Sequence, residues 1–327
     1  MKVILWPYKY IDMKESWYQQ MIWLAEAFKL NNIEVKKHPN FICKGLDSLP
    51  LYNFRQDKEV DICIYNHAAI FHLTGNILKS KMNLFFKPTI PDEFHTTLDS
   101  EGYGPFSSIT FRKPNFEEIN KEDVKLFFET KVKNWLINKN TKWGKYFENK
   151  EEEINLKDYY LVLGQVENDE VVNRTHPGSY LLKLNLIVKE LSKLTDKNIV
   201  VKLHPYMNNA ETIKIKLEAI DKKIRAFTGK INVHSFIENA ECIFLANSGS
   251  GFETMMHGKP IISWEYPEYH WVTYNLTRKE DLKKAIELKW FDKELQDKFL
   301  YWYLEKYCFY NQETASKRVS DILNGRL

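Results

Sequence analysis

The run Asn198-Ile-Val-Val-Lys-Leu-His-Pro205 is largely apolar and closes on Lys202, His204 and Pro205. A short apolar run of this kind reads as a fully buried strand. Pro205 cannot continue the ladder, so the chain turns there and leaves the His204 side chain at the sheet edge. Ligands of open α/β sheets bind just outside the carboxyl ends of the strands. An imidazole in that place can donate to a phosphate oxygen and ease the departure of a charged phosphate. A strand-end histidine with purely structural bonds fits the same letters.

Further along stands Glu241-Cys-Ile-Phe-Leu-Ala-Asn-Ser-Gly-Ser-Gly-Phe-Glu253, followed by Met-Met-His-Gly-Lys-Pro260. The pattern is buried strand, Ser/Gly turn, helix. Gly249 and Gly251 let backbone approach an anion closely, and Ser248 and Ser250 add hydroxyl donors. The start of the following helix offers free N–H groups and the positive end of its dipole. Glu253 falls in its first turn, within reach of ribose hydroxyls. The spacing Ser250-x-x-Glu253 also fits an N-cap and its capping-box partner, and the two roles are compatible. A third segment, Gln165-Val-Glu-Asn-Asp169, follows the strand Tyr159–Leu163. Glu167 and Asp169 point apart if that strand continues. Asn168-Asp169 also reads as a turn capped by its own side chain.

The elements that must hold these groups alternate between strand and helix, the pattern of parallel sheets covered by helices. In the first half, strands are predicted at Val3–Leu5, Ile33–Val35, Val60–Tyr65 and Met82–Phe86, with helices at Trp17–Leu30 and Phe116–Leu136. Lys87 to Lys113 reads as one long Pro-, Gly- and Ser-rich loop of functional character. Polar, aperiodic Asn138–Leu156 reads as a linker. Strands at Asn198–Leu203, Ile224–Phe227, Glu241–Ala246 and Pro260–Trp264 then alternate with helices at Ser179–Leu194, His234–Asn239, Gly251–His257 and Arg278–Leu288. An aromatic, helical tail runs from Asp292 to Leu323. The chain of 327 residues suits two α/β domains, predicted at 1–150 and 151–327.

A net charge of +3 gives no nucleic-acid surface. The four cysteines are widely spaced, and Cys63 and Cys242 sit inside apolar runs, which suits a reducing cytoplasm better than a disulfide framework. No histidine spacing suits a metal, and none is expected. No apolar stretch approaches the ~20 residues of a membrane span, so any membrane association is expected to be peripheral.

Together, Gln165-Val-Glu-Asn-Asp169, Lys202-Leu-His-Pro205 and Asn247-Ser-Gly-Ser-Gly-Phe-Glu253 with His257-Gly-Lys-Pro260 resemble bacterial capsular polysaccharide synthesis proteins of the KpsC/KpsS type. The resemblance covers Tyr159 to Tyr274. It implies a GT-B fold, two Rossmann-like domains facing across a cleft, and transfer of Kdo from CMP-Kdo. Bacterial sialyltransferases of related fold share the His-Pro and Ser motifs. By resemblance, His204, Ser248, Gly249 and Ser250 hold the CMP phosphate, Lys202 supports its charge, Glu253 takes the ribose, and Gln165 belongs to the donor site. Asp169 matches the catalytic Asp of retaining Kdo transferases, which forms a covalent glycosyl-enzyme.

A two-carboxylate mechanism needs a partner acid/base from the first domain. Asp99 and Glu101 in the long loop are the candidates, Glu101 favoured by Gly102 and Gly104 beside it, with Asp92 and Glu93 as competitors. No cofactor is expected besides the nucleotide sugar itself, whose single phosphate needs no bridging metal. The expected acceptor is a surface glycan or glycolipid, with capsule or lipopolysaccharide machinery as a possible peripheral partner at the inner membrane. Segment Glu265–Trp271 either lines the cleft or packs, and the tail is expected to cross back to the first domain. The rival readings are a teichoic-acid-type CDP-polyol phosphotransferase and a non-catalytic partner in capsule assembly.

Overall fold

The computed structural model describes residues 1–7, 15–39, 45–53, 60–66, 80–92, 94–141, 154–167, 169–175 and 178–326. Two compact units share the chain: Met1–Arg112 with Trp302–Leu327, and Lys113–Tyr301. The first opens with β1 (Lys2–Pro7), α1 (Glu15–Leu30), β2 (Glu34–Lys37), β3 (Val60–Asn66), β4 (Ser80–Pro88), β5 (Thr96–Asp99) and α2 (Ser108–Phe111). The second begins with α3 (Lys121–Phe127), which passes through a π-helical turn at Phe128–Val132 into α4 (Lys133–Ile137). Next come β6 (Tyr159–Leu163), α5 (Glu170–Thr175), α6 (Tyr180–Leu194), β7 (Ile199–Lys202), α7 (Ala210–Glu218) and β8 (Ile224–Phe227). Then follow α8 (His234–Ile237), β9 (Ala240–Leu245), α9 (Ser250–Met256), β10 (Ile261–Ser263), β11 (Tyr274–Asn275), α10 (Asp281–Ala285) and α11 (Lys293–Trp302). The chain returns to the first unit through a second π-helical turn at Tyr303–Tyr307, β12 (Cys308–Phe309) and α12 (Gln312–Leu323).

The second unit's sheet has the order β11-β10-β9-β6-β7-β8, parallel throughout. Every residue of β6 and β7 is buried, which is why their sequences are apolar runs without alternation. Against the sheet lies α6, whose buried Tyr180, Leu184, Ile187, Val188 and Leu191 recur at helical spacing. Ser179 caps it by accepting the Leu182 amide. The first unit's sheet has the order β12-β5-β4-β3-β1-β2. Its β4, β3, β1 and β2 are parallel, while at one edge β5 pairs antiparallel with β4 and β12 pairs antiparallel with β5.

The two-unit α/β expectation holds, with differences; α5, α7 and β11 stand where the sequence pattern predicts no element. The stretch Lys87–Lys113, read as one long loop, contains β5 and α2; Thr96-Thr-Leu-Asp99 is too short and polar to announce a strand alone. The tail is not one helix: β12 interrupts it, and α12 buries Ala315, Val319 and Ile322 in the core that α1 supplies with Met21, Leu24 and Phe28. From Trp302 on the tail belongs to the first unit, as expected, while its start through Tyr301 stays with the second.

The join predicted at Asn138–Leu156 falls largely on residues outside those described. The compact units divide instead after Arg112 and before Trp302. Aromatic packing explains why the segment from Lys113 joins the second unit: Phe116 meets Phe299, and Phe127 meets Tyr301 and Trp135. Among the described residues no helix is long and apolar enough to cross a membrane.

Candidate functional site

In the second sheet β6 lies between β9 and β7. All three are parallel, so Gln165–Asp169, His204 and Asn247–Ser250 emerge at one sheet edge. The chain fills β6-β7-β8 in one direction and then places β9 on the other side of β6. Strand ends flanking such a reversal are the usual ligand site of open α/β sheets.

His204 is half-buried there, and its Nδ1 accepts the Tyr206 amide at 3.2 Å. Nδ1 therefore holds a lone pair, and the neutral ring carries its proton on Nε2. Burial, helped by the Lys202 charge and opposed by the Asp169 carboxylate, lowers its pKa to about 4. At neutral pH this histidine is an uncharged N–H donor.

Lys202, expected to support a phosphate directly, turns inward. Its ammonium is buried and donates to the carbonyls of Leu203 (2.9 Å) and Gly229 (2.7 Å). It ties the β7 end to the β8 end and contributes a field rather than a contact. Gln165, expected at the donor, is likewise engaged. Its Nε2 donates to Asn247 Oδ1 at 2.9 Å, and its Oε1 accepts the Asn247 amide at 3.0 Å. The Gln165 amide donates to the Tyr180 hydroxyl, and Asn247 Nδ2 donates to Thr175 Oγ1. This reciprocal pair clamps the turn after β6 to the turn after β9.

The Ser/Gly turn is held from within. Ser248 Oγ accepts the Ser250 amide at 3.2 Å, and the Ser248 carbonyl accepts the Gly251 amide and the Tyr269 hydroxyl. Helix α9 starts at Ser250 with Gly249 as N-cap and no side-chain cap, so the capping box read between Ser250 and Glu253 does not form. Glu253 is buried, and burial raises its pKa to about 7 against the opposing Ser250 hydrogen bond.

Asp169 is exposed, and its Oδ1 accepts the Val171 amide at 2.8 Å, capping α5. The turn-capping role is thus real, and Oδ2 is not part of it. Glu167 is half-buried, with Oε2 unpartnered among the described residues.

In the first unit, Asp99 is sealed. Its carboxylate accepts the amides of Glu101, Gly102 and Ser108, the Ser108 hydroxyl and the Tyr307 hydroxyl at 2.7 Å. With every lone pair engaged and no exposed surface, Asp99 shapes the loop and offers nothing to a substrate. Glu101 is partly exposed and pairs with Arg112 at 3.0 Å. Asp92 binds the Phe94 and His95 amides and His95 Nδ1; Glu93 lies outside the described residues.

Sequence reasoning missed Asn247, Thr175 and Tyr180 as supports, and left Tyr269 between lining and packing. Nothing local marks a hydrogen-bond partner distant in the chain, although Asn247 at the end of a buried strand is a polar group that needs one.

The two Rossmann-like α/β units define the GT-B class of architecture. KpsC of Thermosulfurimonas dismutans, a beta Kdo 2,7 transferase, aligns over 98% of this chain and 99% of its own, with TM-score 0.55 and 14% identity. Its beta Kdo 2,4 transferase aligns over 94% and 95%, with TM-score 0.53 and 14% identity. The family described as capsule polysaccharide biosynthesis protein matches residues 123–311, more than half of the chain, and the protein belongs to that family. No curated protein sequence matches it significantly.

Proposed function

We propose that the protein is a capsule glycosyltransferase that moves Kdo, or a related nonulosonic acid, from its CMP ester to a surface glycan or glycolipid. One observation carries the reading: a neutral imidazole N–H donor and a hydroxyl-lined glycine turn stand at one sheet edge, on either side of the Asp169 turn. Phosphate oxygens of a departing CMP suit donors from His204, Ser248, Ser250 and the Gly249 amide. Glu253, titrating near neutrality, can accept from or donate to ribose hydroxyls. Asp169 Oδ2 attacks the anomeric carbon as the C–O bond to CMP breaks, and an acceptor hydroxyl then displaces the carboxylate with retention. Of the two first-unit carboxylates considered for proton transfer, Asp99 is sealed, while Glu101 is partly exposed and paired with Arg112. The kinship of the family with capsule synthesis and the fold shared with the two Kdo transferases support this reading.

A thermal-shift screen of CMP, CDP, UDP and GDP tests the donor, with CMP expected to stabilise most. His204→Ala is expected to lower turnover by about 10²-fold or more, the scale of losing one such donor. Asp169→Ala is expected to abolish transfer while CMP still binds. Near-normal rates in either variant remove that residue from the mechanism. Release of CMP with a glycerol phosphate product, rather than a sugar acid product, would make the enzyme a polyol phosphotransferase.

A further inference from the structure

Tyr269 lies in the segment after β10, is 1% exposed, and touches the Ser/Gly turn in two ways. Its hydroxyl donates to the Ser248 carbonyl. Its ring occupies the space beside Gly251 so fully that a Cβ there would stand 2.2 Å from the ring carbon Cζ. Phe252 closes on the same ring edge-on at 5.2 Å. The peptide between Ser248 and Gly249 is planar and trans, so its N–H points opposite to its C=O. With the carbonyl drawn inward by Tyr269 and the Gly251 amide, the Gly249 N–H is directed outward. Among the described residues neither the Ser248 nor the Gly249 amide has an acceptor.

We infer that Tyr269 is a positioning residue for the donor phosphate: it fixes the orientation of the Ser248–Gly249 peptide, so that the Gly249 amide presents its N–H to the anion. The inference rests on the proposed nucleotide site and gives Tyr269 a part in phosphate recognition without contact. Gly251 is glycine because the ring that does this leaves no room for a side chain.

Tyr269→Phe keeps the ring and deletes the tether. Calorimetric titration of the variant with CMP is expected to give about tenfold weaker binding, the scale of one charge-assisted hydrogen bond. Cytidine, followed by ligand-observed NMR, is expected to bind the variant and the wild type equally, because it lacks the phosphate. Equal weakening of both ligands, or of neither, overturns the inference, since a merely structural tyrosine would not discriminate between them. A second reading uses unmodified protein labelled with ¹⁵N-glycine. CMP is expected to shift the Gly249 amide resonance and cytidine to leave it in place, and a resonance unmoved by saturating CMP also overturns the inference. Absence of CMP binding to the wild-type protein would instead remove the donor reading itself, and the inference with it.

Discussion

Two titratable groups at the candidate site have their pKa values displaced towards the neutral form by burial. His204 falls from 6.5 to about 4, so between those values the unfolded chain binds more protons than the folded one. Its contribution to stability is complete above pH 6.5 and is lost as the pH falls towards 4. Glu253 rises from 4.5 to about 7, so within that window the folded state holds the extra proton, and stability falls as the pH rises through it. Glu253→Gln removes the second effect. The variant is expected to gain on the order of 3 kcal/mol over wild type above pH 7, with the difference shrinking on acidification to pH 4.5. Melting curves that stay parallel from pH 4.5 to 8 would show that Glu253 does not titrate in this way.

Between elements, the site depends on bonds that join strand ends. The Gln165–Asn247 pair holds the turns after β6 and β9 together, and Tyr269 closes the second turn onto the segment after β10. The tightest point is Gly251. Alanine there meets an aromatic ring that is itself enclosed, and is expected to cost about 3 kcal/mol as an overpacked core position. Chemical denaturation of Gly251→Ala measures it; wild-type stability would mean that the ring can move aside.

Across the whole molecule, the chain leaves the first unit at Arg112 and comes back at Trp302 to complete it. The returning segment adds β12 to the edge of the first sheet and lays α12 over α1. It also anchors the Asp99 loop through Tyr307, while the Arg318 guanidinium bonds the Leu98 carbonyl at 2.8 Å and lies over the Tyr307 ring. Truncation after Tyr301 is expected to abolish amide protection in β1, β3 and β4 while β6, β7 and β9 stay protected. Hydrogen exchange read by mass spectrometry checks this, and full protection of β1 in the truncated chain would contradict it.

Local pattern alone marks five of the second sheet's six strands, the turns after β6, β7 and β9 and the side chains that those turns carry. Buried parallel strands are apolar runs, Pro205 and the Gly249–Gly251 turn end them, and both signals are local. Short β5, β11 and β12 escape it because a strand of two to four residues shows no period of its own and is defined by the strand it pairs with. Which polar atoms are committed inside the protein, and which face outward, is settled by long-range packing. Lys202 and Gln165 looked like ligands until remote carbonyls and amides claimed them, and Asp99 looked like a catalyst until Ser108 and Tyr307 closed over it. A buried polar group must find partners wherever the fold brings them. Residue type and spacing announce that need, and folding alone selects the partner.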